Sequence, residues 1–265
     1  MTREDEALLK PLLRSAARRT LHDEDDGILS VLRDGDPDSP GAAGASRFEG
    51  VYGPVYDRVI QSDSLRRLAP LAYGDAGPVP DLDGFARLVA QGTASEAKGP
   101  PLLLDVPCGG GTMLPRLRSQ GYAGVVIESD LGAAMLRRAG ELRDRLADGA
   151  TVLLRADAQD LPLRDATVDG AVSLNGLHCM PDPRAFVEEL GRVVRPSGRL
   201  FLITLVSGGT RRADLSIRMG RLTGIIPTAP PKRATLLRWM RAAGWRDIEP
   251  LGGKGLVGYA ATRGE

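Results

Sequence analysis

The stretch LLLDVPCGGGT (residues 102–112) decides how the chain folds. An apolar run leads straight into consecutive glycines and a threonine, as expected of a buried parallel strand that turns sharply into a helix. Consecutive glycines let the backbone pass close beneath a ligand and present N–H groups ahead of a helix N-terminus. A plain strand–helix turn would use the same residues. No Gly-Lys-Ser/Thr follows, which argues against a phosphate loop. Gly109 and Gly111 fit two positions of G-x-G-x-x-G, but Leu114 stands where the third glycine belongs, so a dinucleotide fingerprint is incomplete.

Downstream, the pattern alternates regularly. A helix over about 112–120 precedes the strand GVVIESD (124–130), and a second helix covers 132–147. TVLLRAD (151–157), VDGAVSL (168–174) and RLFLITLV (199–206) are further strands, with a helix over 183–195 before the last. This repetition implies right-handed crossovers and an open, doubly wound, mostly parallel α/β sheet. Ligands of such sheets bind at the carboxyl ends of the strands. Asp105, Asp130 and Asp157 fall at the ends of the first three strands. A carboxylate at Asp130 can accept both hydroxyls of a ribose. Asp157 is placed for an adenine amino group, with the Ala158 N–H for a ring nitrogen. Glu128 competes with Asp130, since alternation puts both on one face; the residue nearer the strand end is preferred.

Upstream, residues 1–35 read as a helical prelude, with Leu8, Leu9, Leu12 and Leu13 at helical spacing. GDPDSPGAAGAS (35–46) reads as an exposed linker. Val51, Tyr52, Val55, Tyr56, Val59 and Ile60 suggest an amphipathic helix, and a second break surrounds 72–81 before a short helix in GFARLVAQG. Residues 1–98 are thus expected to form a helical cap and linker, and 99–265 the α/β domain.

Composition narrows the class. Lys+Arg 35 against Asp+Glu 34 leaves +1, without the basic excess of a nucleic-acid binder. Cys108 and Cys179 are the two cysteines, too few for a disulfide scaffold or a Cys-based zinc cluster, and His22 and His178 leave little for a metal. No apolar run approaches the ~20 residues of a membrane span, and the charged N-terminus lacks a signal-peptide core. A cytoplasmic protein without metal, membrane or nucleic-acid partner is expected.

The series LLLDVPCGGGT, IESDLGAAML, RADAQDLPLRDATVDGAVSLNGLHCMPDP and ELGRVVRPSGRLFL resembles class I S-adenosylmethionine-dependent methyltransferases, closest to the group acting on small molecules and quinones. The resemblance covers 99–206 well and 232–262 moderately. It implies a Rossmann-like, seven-stranded sheet that closes with a helix and an antiparallel C-terminal hairpin, and S-adenosylmethionine as cofactor. It implies that Asp105, Gly109 and Gly111 hold the methionine part, Asp130 the ribose and Leu131 the face of the adenine. Asp157 and Ala158 fall on the adenine edge, and Asn175 beside the sulfonium. Pro107 departs from the pattern, where the family has glycine; it has no N–H and a fixed φ. Tyr52 and Tyr56 resemble an N-terminal helix that closes over the cofactor, or they pack the core.

Methyl transfer from a sulfonium is an in-line displacement from an activated donor, so alignment carries much of the catalysis. A hydroxyl acceptor benefits from a general base, and His178, just past the fourth strand, is chemically apt. A packing histidine is the other reading. The segment 207–231 occupies the place of an acceptor-site lid. Residues 210–246 hold nine basic side chains against Asp214 alone, which fits a small-molecule acceptor of amphipathic or anionic character, or else a solvated face. The same fold binding the cofactor without methylating, in a pericyclase-like or regulatory role, is the first rival; a nicotinamide-dependent oxidoreductase is the second. A nucleic-acid methyltransferase is disfavoured by the balanced charge and by Asn175-Gly176-Leu177-His178 in place of a base-flipping motif.

Overall fold

The computed structural model describes residues 3–24, 27–32, 81–93 and 99–265. Its strands are β1 (His22–Glu24), β2 (Ile28–Ser30), β3 (Leu102–Asp105), β4 (Val125–Asp130), β5 (Thr151–Arg155), β6 (Val168–Leu174), β7 (Val194–Leu205), β8 (Trp245–Gly252) and β9 (Leu256–Arg263). They form one sheet in the order β1-β2-β5-β4-β3-β6-β7-β9-β8. The five strands from β5 to β7 run parallel, and β7-β9-β8 closes the sheet with the expected antiparallel hairpin.

Period-2 alternation sorts the central strands between two cores, as it must when both faces are covered. Leu104, Ile127, Leu200 and Leu202 join one cluster, with Phe186, Val187 and Leu190 of the helix Pro183–Val193 and Leu236 and Met240 of the helix Arg233–Ala242. Their neighbours Leu103, Val126, Phe201 and Ile203 point the other way, into a cluster with Phe85 and Val89 of the helix Leu82–Gly92 and Met113, Leu114 and Leu117 of the helix Met113–Ser119. The helix Pro183–Val193 starts where its sequence dictates. Asp182 accepts from the N–H groups of Arg184 and Ala185 at 2.9 and 3.1 Å, and Pro183 occupies the first turn, where a missing N–H costs nothing.

Two features depart from the sequence reading. Among the described residues the sheet has nine strands rather than seven, because the N-terminal segment is not helical throughout. After the helices Arg3–Leu9 and Ser15–Thr20 it turns into β1 and β2, and β2 pairs in parallel with β5. All three residues of β2 are buried, so the edge of β5 is covered rather than left open. Second, β7 begins at Val194, not Arg199. The strand bulges at Pro196-Ser197-Gly198, where Ser197 takes φ +62°, and the pairing with β6 shifts register between Val168 and Gly170. The expected linker at 35–46, the helix carrying Tyr52 and Tyr56, and nearly all of the break at 72–81 lie outside the described residues.

The strand order reverses at β3: β4 and β5 lie on one side of it, β6 and β7 on the other. Such a switch point leaves a crevice at the carboxyl ends of β3 and β6.

Candidate cofactor site

The glycine-rich turn sits in that crevice, fastened on three sides. The Val106 N–H donates to the Val172 carbonyl of β6 at 3.0 Å, and the Cys108 N–H to the Ser129 carbonyl of β4 at 2.9 Å. The third fastening comes from Asp130. One of its carboxylate oxygens accepts from the Gly109 N–H and the other from the Gly132 N–H, both at 2.9 Å. Asp130 thereby ties the turn to the start of the helix Ala133–Arg145. Gly109 and Gly111 have φ of +55° and +76°, the left-handed region that glycine enters without strain. A Cβ at Gly109 would face open space, whereas one at Gly111 would come within 3.0 Å of the Ala139 backbone. Gly109 thus leaves room above the turn, and Gly111 lets the next helix close in.

Pro107 fits because its neighbour is small. The Val106–Pro107 peptide is cis, and a Cβ at Gly176 would lie 2.2 Å from the Pro107 Cδ. Gly176 was not singled out from the sequence. The signal that could have found it is steric: a proline ring in a glycine position needs a gap opposite.

The other expected residues ring the same crevice. Asp157, 7% exposed, accepts at one oxygen from the Gln159 N–H at 2.9 Å and side-chain amide at 3.3 Å, and Ala158 is buried beside it. The carbonyl of the half-buried Leu131 accepts from Arg155 at 3.1 Å. Asn175 follows β6 with φ +59°, its N–H donating to the Ile203 carbonyl at 2.8 Å and its side-chain oxygen buried without a partner. His178 is half-buried, with Nδ1 enclosed and unpartnered. Burial pushes its imidazole down to about 4, so the ring is neutral at pH 7. The sign follows: between about pH 6.5 and 4 the unfolded chain takes a proton that folded His178 refuses, so acidification through that window works against the fold. Cys179 points its thiol toward the Asn175 carbonyl at 3.9 Å, and burial raises it to about 12. A thiol held protonated in this way is no nucleophile. The segment 207–231 reaches this loop, where the Thr228 N–H donates to the His178 carbonyl at 3.2 Å. Tyr56 lies outside the described residues.

One feature marks the crevice as built for something more than packing. Of the fourteen buried side-chain polar atoms without a hydrogen-bond partner among the described residues, nine belong to Asp105, Thr112, Glu128, Ser129, Ser173, Asn175 and His178, which surround the carboxyl ends of β3, β4 and β6. Buried polar groups are nearly always paired, so such a concentration calls for a polar ligand. Asp105 and Glu128 are both buried, and burial first, then neighbouring carboxylates, raises the Asp105 carboxyl well above its usual value. Open space over Gly109 and the buried carboxyl groups of Asp105 and Glu128 fit a polar or cationic ligand better than a polyanion.

Residues 104–202 match the model of a methyltransferase domain. A malonyl-[acyl-carrier protein] O-methyltransferase of Hahella chejuensis is 33% identical over 108 residues, 41% of this chain and 38% of that protein. The matched segment spans between 30% and 55% of the length of the first curated relatives. Among solved structures, a SAM-dependent methyltransferase of Aquifex aeolicus superposes with a TM-score of 0.52 at 22% identity, covering 79% of this chain and 97% of that one. The [4+2]-cyclase SpnF superposes at 0.57 with 20% identity, covering 80% and 94%. The turn, the strand order and these likenesses agree: residues 104–202 form a methyltransferase domain, carried on the Rossmann-like fold of solved S-adenosylmethionine-dependent methyltransferases.

Proposed function

We propose that the chain transfers a methyl group from S-adenosylmethionine to O or N of a small organic acceptor of amphipathic or anionic character. The observation that carries this reading is the Asp130 carboxylate fastening the glycine-rich turn beside a ring of unpartnered polar groups. When bound, the cofactor supplies a methyl group already activated on a positively charged sulfur. Asp130 accepts the ribose hydroxyls, while Leu131, Asp157 and Ala158 hold the adenine. Asp105 and the backbone at Gly109 and Gly111 receive the methionine part, and Asn175 faces the reacting end. Pro107 gives no donor and acts through shape. Tyr56 is assigned to closing the cleft. Calorimetric titration with S-adenosylmethionine and, separately, NADH tests the reading: micromolar binding of the first alone supports it, and binding of NADH alone overturns it.

His178 is assigned as the general base for a hydroxyl acceptor. Its imidazole is neutral across the working pH range, and Nδ1 is free of a protein partner. His178→Gln is expected to lower kcat by about 100-fold, the lower end of the range for general-base catalysis, with cofactor affinity unchanged. The acid limb of the wild-type kcat profile should fall well below pH 6.5. An unchanged kcat with a lowered melting temperature would assign His178 to packing.

The acceptor's character rests on the helix Arg211–Leu222. Ala213 and Ile217 are buried, while Leu215, Met219 and Leu222 lie exposed along another stripe, 61%, 53% and 78% accessible. Helical spacing puts Arg218 on one side of that stripe and Arg212 on the other. An apolar strip between guanidinium groups suits an amphipathic anion, such as a carrier-bound or phosphorylated molecule. The double variant Arg212→Ala/Arg218→Ala should raise the acceptor KM by roughly fivefold to tenfold at low salt and flatten its salt dependence. Equal salt dependence in variant and wild type would sink the idea. We place the protein in the cytoplasm, without a nucleic-acid or membrane partner. No helix among the described residues is long and apolar enough to cross a membrane.

The same fold carries a protein named for a cyclisation, so fold alone does not decide that a methyl group is transferred. Tight cofactor binding with no acceptor-dependent S-adenosylhomocysteine would favour that second reading.

A further inference from the structure

We propose that Asp105 and Glu128 share one proton in the cofactor-free protein and release it when a cation is seated beside them, so that Glu128 makes the site prefer the sulfonium cofactor over its demethylated product. This rests on the reading of the crevice as an S-adenosylmethionine site.

The geometry is that of two strands in register. Asp105 and Glu128 are Cα partners across the parallel β3–β4 pair, so their side chains leave the same face of the sheet as immediate neighbours. They are 1% and 0% exposed, and both Asp105 oxygens are buried without a hydrogen-bond partner. Glu128 has only the Cys108 thiol against it among side-chain donors of the described residues, a weak donor that it shares with the Gly109 carbonyl at 3.4 Å. Two adjacent carboxylates out of water cannot both ionise, so the pair keeps a proton.

The charged groups around the pair do not relieve it. Asp130, two residues along β4, adds negative charge. Arg118, on the helix Met113–Ser119, is the cation that acts on Glu128, but its guanidinium is committed to Asp148 at 2.6 and 3.1 Å, and Asp148 opposes it. Burial therefore dominates and holds the Glu128 carboxyl up at about 8. No group of His, Cys, Asp and Glu among the described residues is arranged for a metal ion. What remains to balance the pair is the positive charge of an organic ligand.

The cofactor carries one more positive charge before methyl transfer than after it. As the sulfonium form binds, the pair gives its proton to solvent; as the neutral-sulfur product leaves, the pair takes one back. The proton lost by a methylated hydroxyl or amine is separate and passes through the acceptor side. Over a turnover the pair returns to its starting state, and product release is favoured because the charge that replaced the proton has gone.

The test is calorimetric titration of the full chain with S-adenosylmethionine and with S-adenosylhomocysteine, each in phosphate and in Tris, buffers of low and high ionisation heat. The two ligands share their amino and carboxyl groups, so proton release common to both cancels. The expected result is about one more proton released by the sulfonium ligand. Its affinity should rise up to about tenfold per pH unit between about pH 5.5 and 7.5, with a shallower slope for the product. Glu128→Gln should abolish the extra proton and cut the preference between the ligands several-fold. Equal proton release by the two ligands in the wild type overturns the proposal, whether or not the variant folds. No binding heat from either ligand in either buffer would instead overturn the cofactor-site reading on which it rests.

Discussion

Asp130→Ala is expected to weaken S-adenosylmethionine binding by about a hundredfold, close to 2.7 kcal/mol. The carboxylate receives the Gly109 and Gly132 N–H groups at 2.9 Å each, so its loss frees the middle of the glycine-rich turn and the first turn of the next helix together. Each hydrogen bond to a charged group contributes roughly 1.5–3 kcal/mol. Part of that loss appears as lower stability of the free protein rather than as lost affinity. The ribose contacts assigned to the same carboxylate add to the binding loss. Asp130→Asn keeps one carbonyl oxygen that can accept from one of the two amides, and should fall between alanine and wild type. The measurement is Kd by calorimetry with the melting temperature of each free protein alongside. If Asp130→Ala bound within twofold of wild type while remaining folded, the turn would not be the cofactor cradle.

The central sheet was legible in the sequence because its strands are buried on both faces and separated by amphipathic helices. LLLDV, VDGAVSL and RLFLITLV announce themselves by composition, and Leu103 and Leu104 point into different cores as the pleat requires. The edge was not legible. Ile28, Leu29 and Ser30 are too few to display a period, and only pairing with β1 and β5 gives them a reason to be extended. The early start of β7 was hidden for a related reason. Pro196-Ser197-Gly198 carries turn residues and Ser197 does turn, at φ +62°, but β6 pairs with Val194 before it and with Arg199 after it, so the strand continues across a local irregularity.

The site divides along the same line. That Asp105 and Asp130 end strands and Asp157 stands just past one could be read because strand ends are local features. The pairing of Asp105 with Glu128 depends on the register of two strands 20 residues apart, counted from Asp105 to Val125. Period-2 alternation shows only that Glu128 shares a face with Asp130. Which residue of β3 lies opposite is a property of the sheet, not of either segment.

Gly176→Ala tests the other relation that only the fold reveals, and its effect should be large. A Cβ there would stand 2.2 Å from the Cδ and 2.6 Å from the Cγ of Pro107, with Ser173 Oγ at 3.1 Å. The proline ring has no rotamer to retreat into. It belongs to a turn held by bonds to Val172, Ser129 and Asp130, so the clash must move backbone. A destabilisation of about 3 kcal/mol, at the upper end for overpacking, is expected together with loss of measurable cofactor binding. Pro107→Gly removes the ring. In that background Gly176→Ala should cost far less, leaving mainly the closer approach to Ser173. A double-mutant cycle read by denaturant unfolding and by cofactor Kd therefore separates two accounts of the proline. If the coupling exceeds about 1.5 kcal/mol, Pro107 and Gly176 form one steric unit, and a proline in the glycine-rich turn is compatible with a working site because the opposing strand end has given up its side chain. If Gly176→Ala costs the same with and without the ring, the close approach does not shape the turn, and the tolerance of Pro107 must come from the turn's own hydrogen bonds.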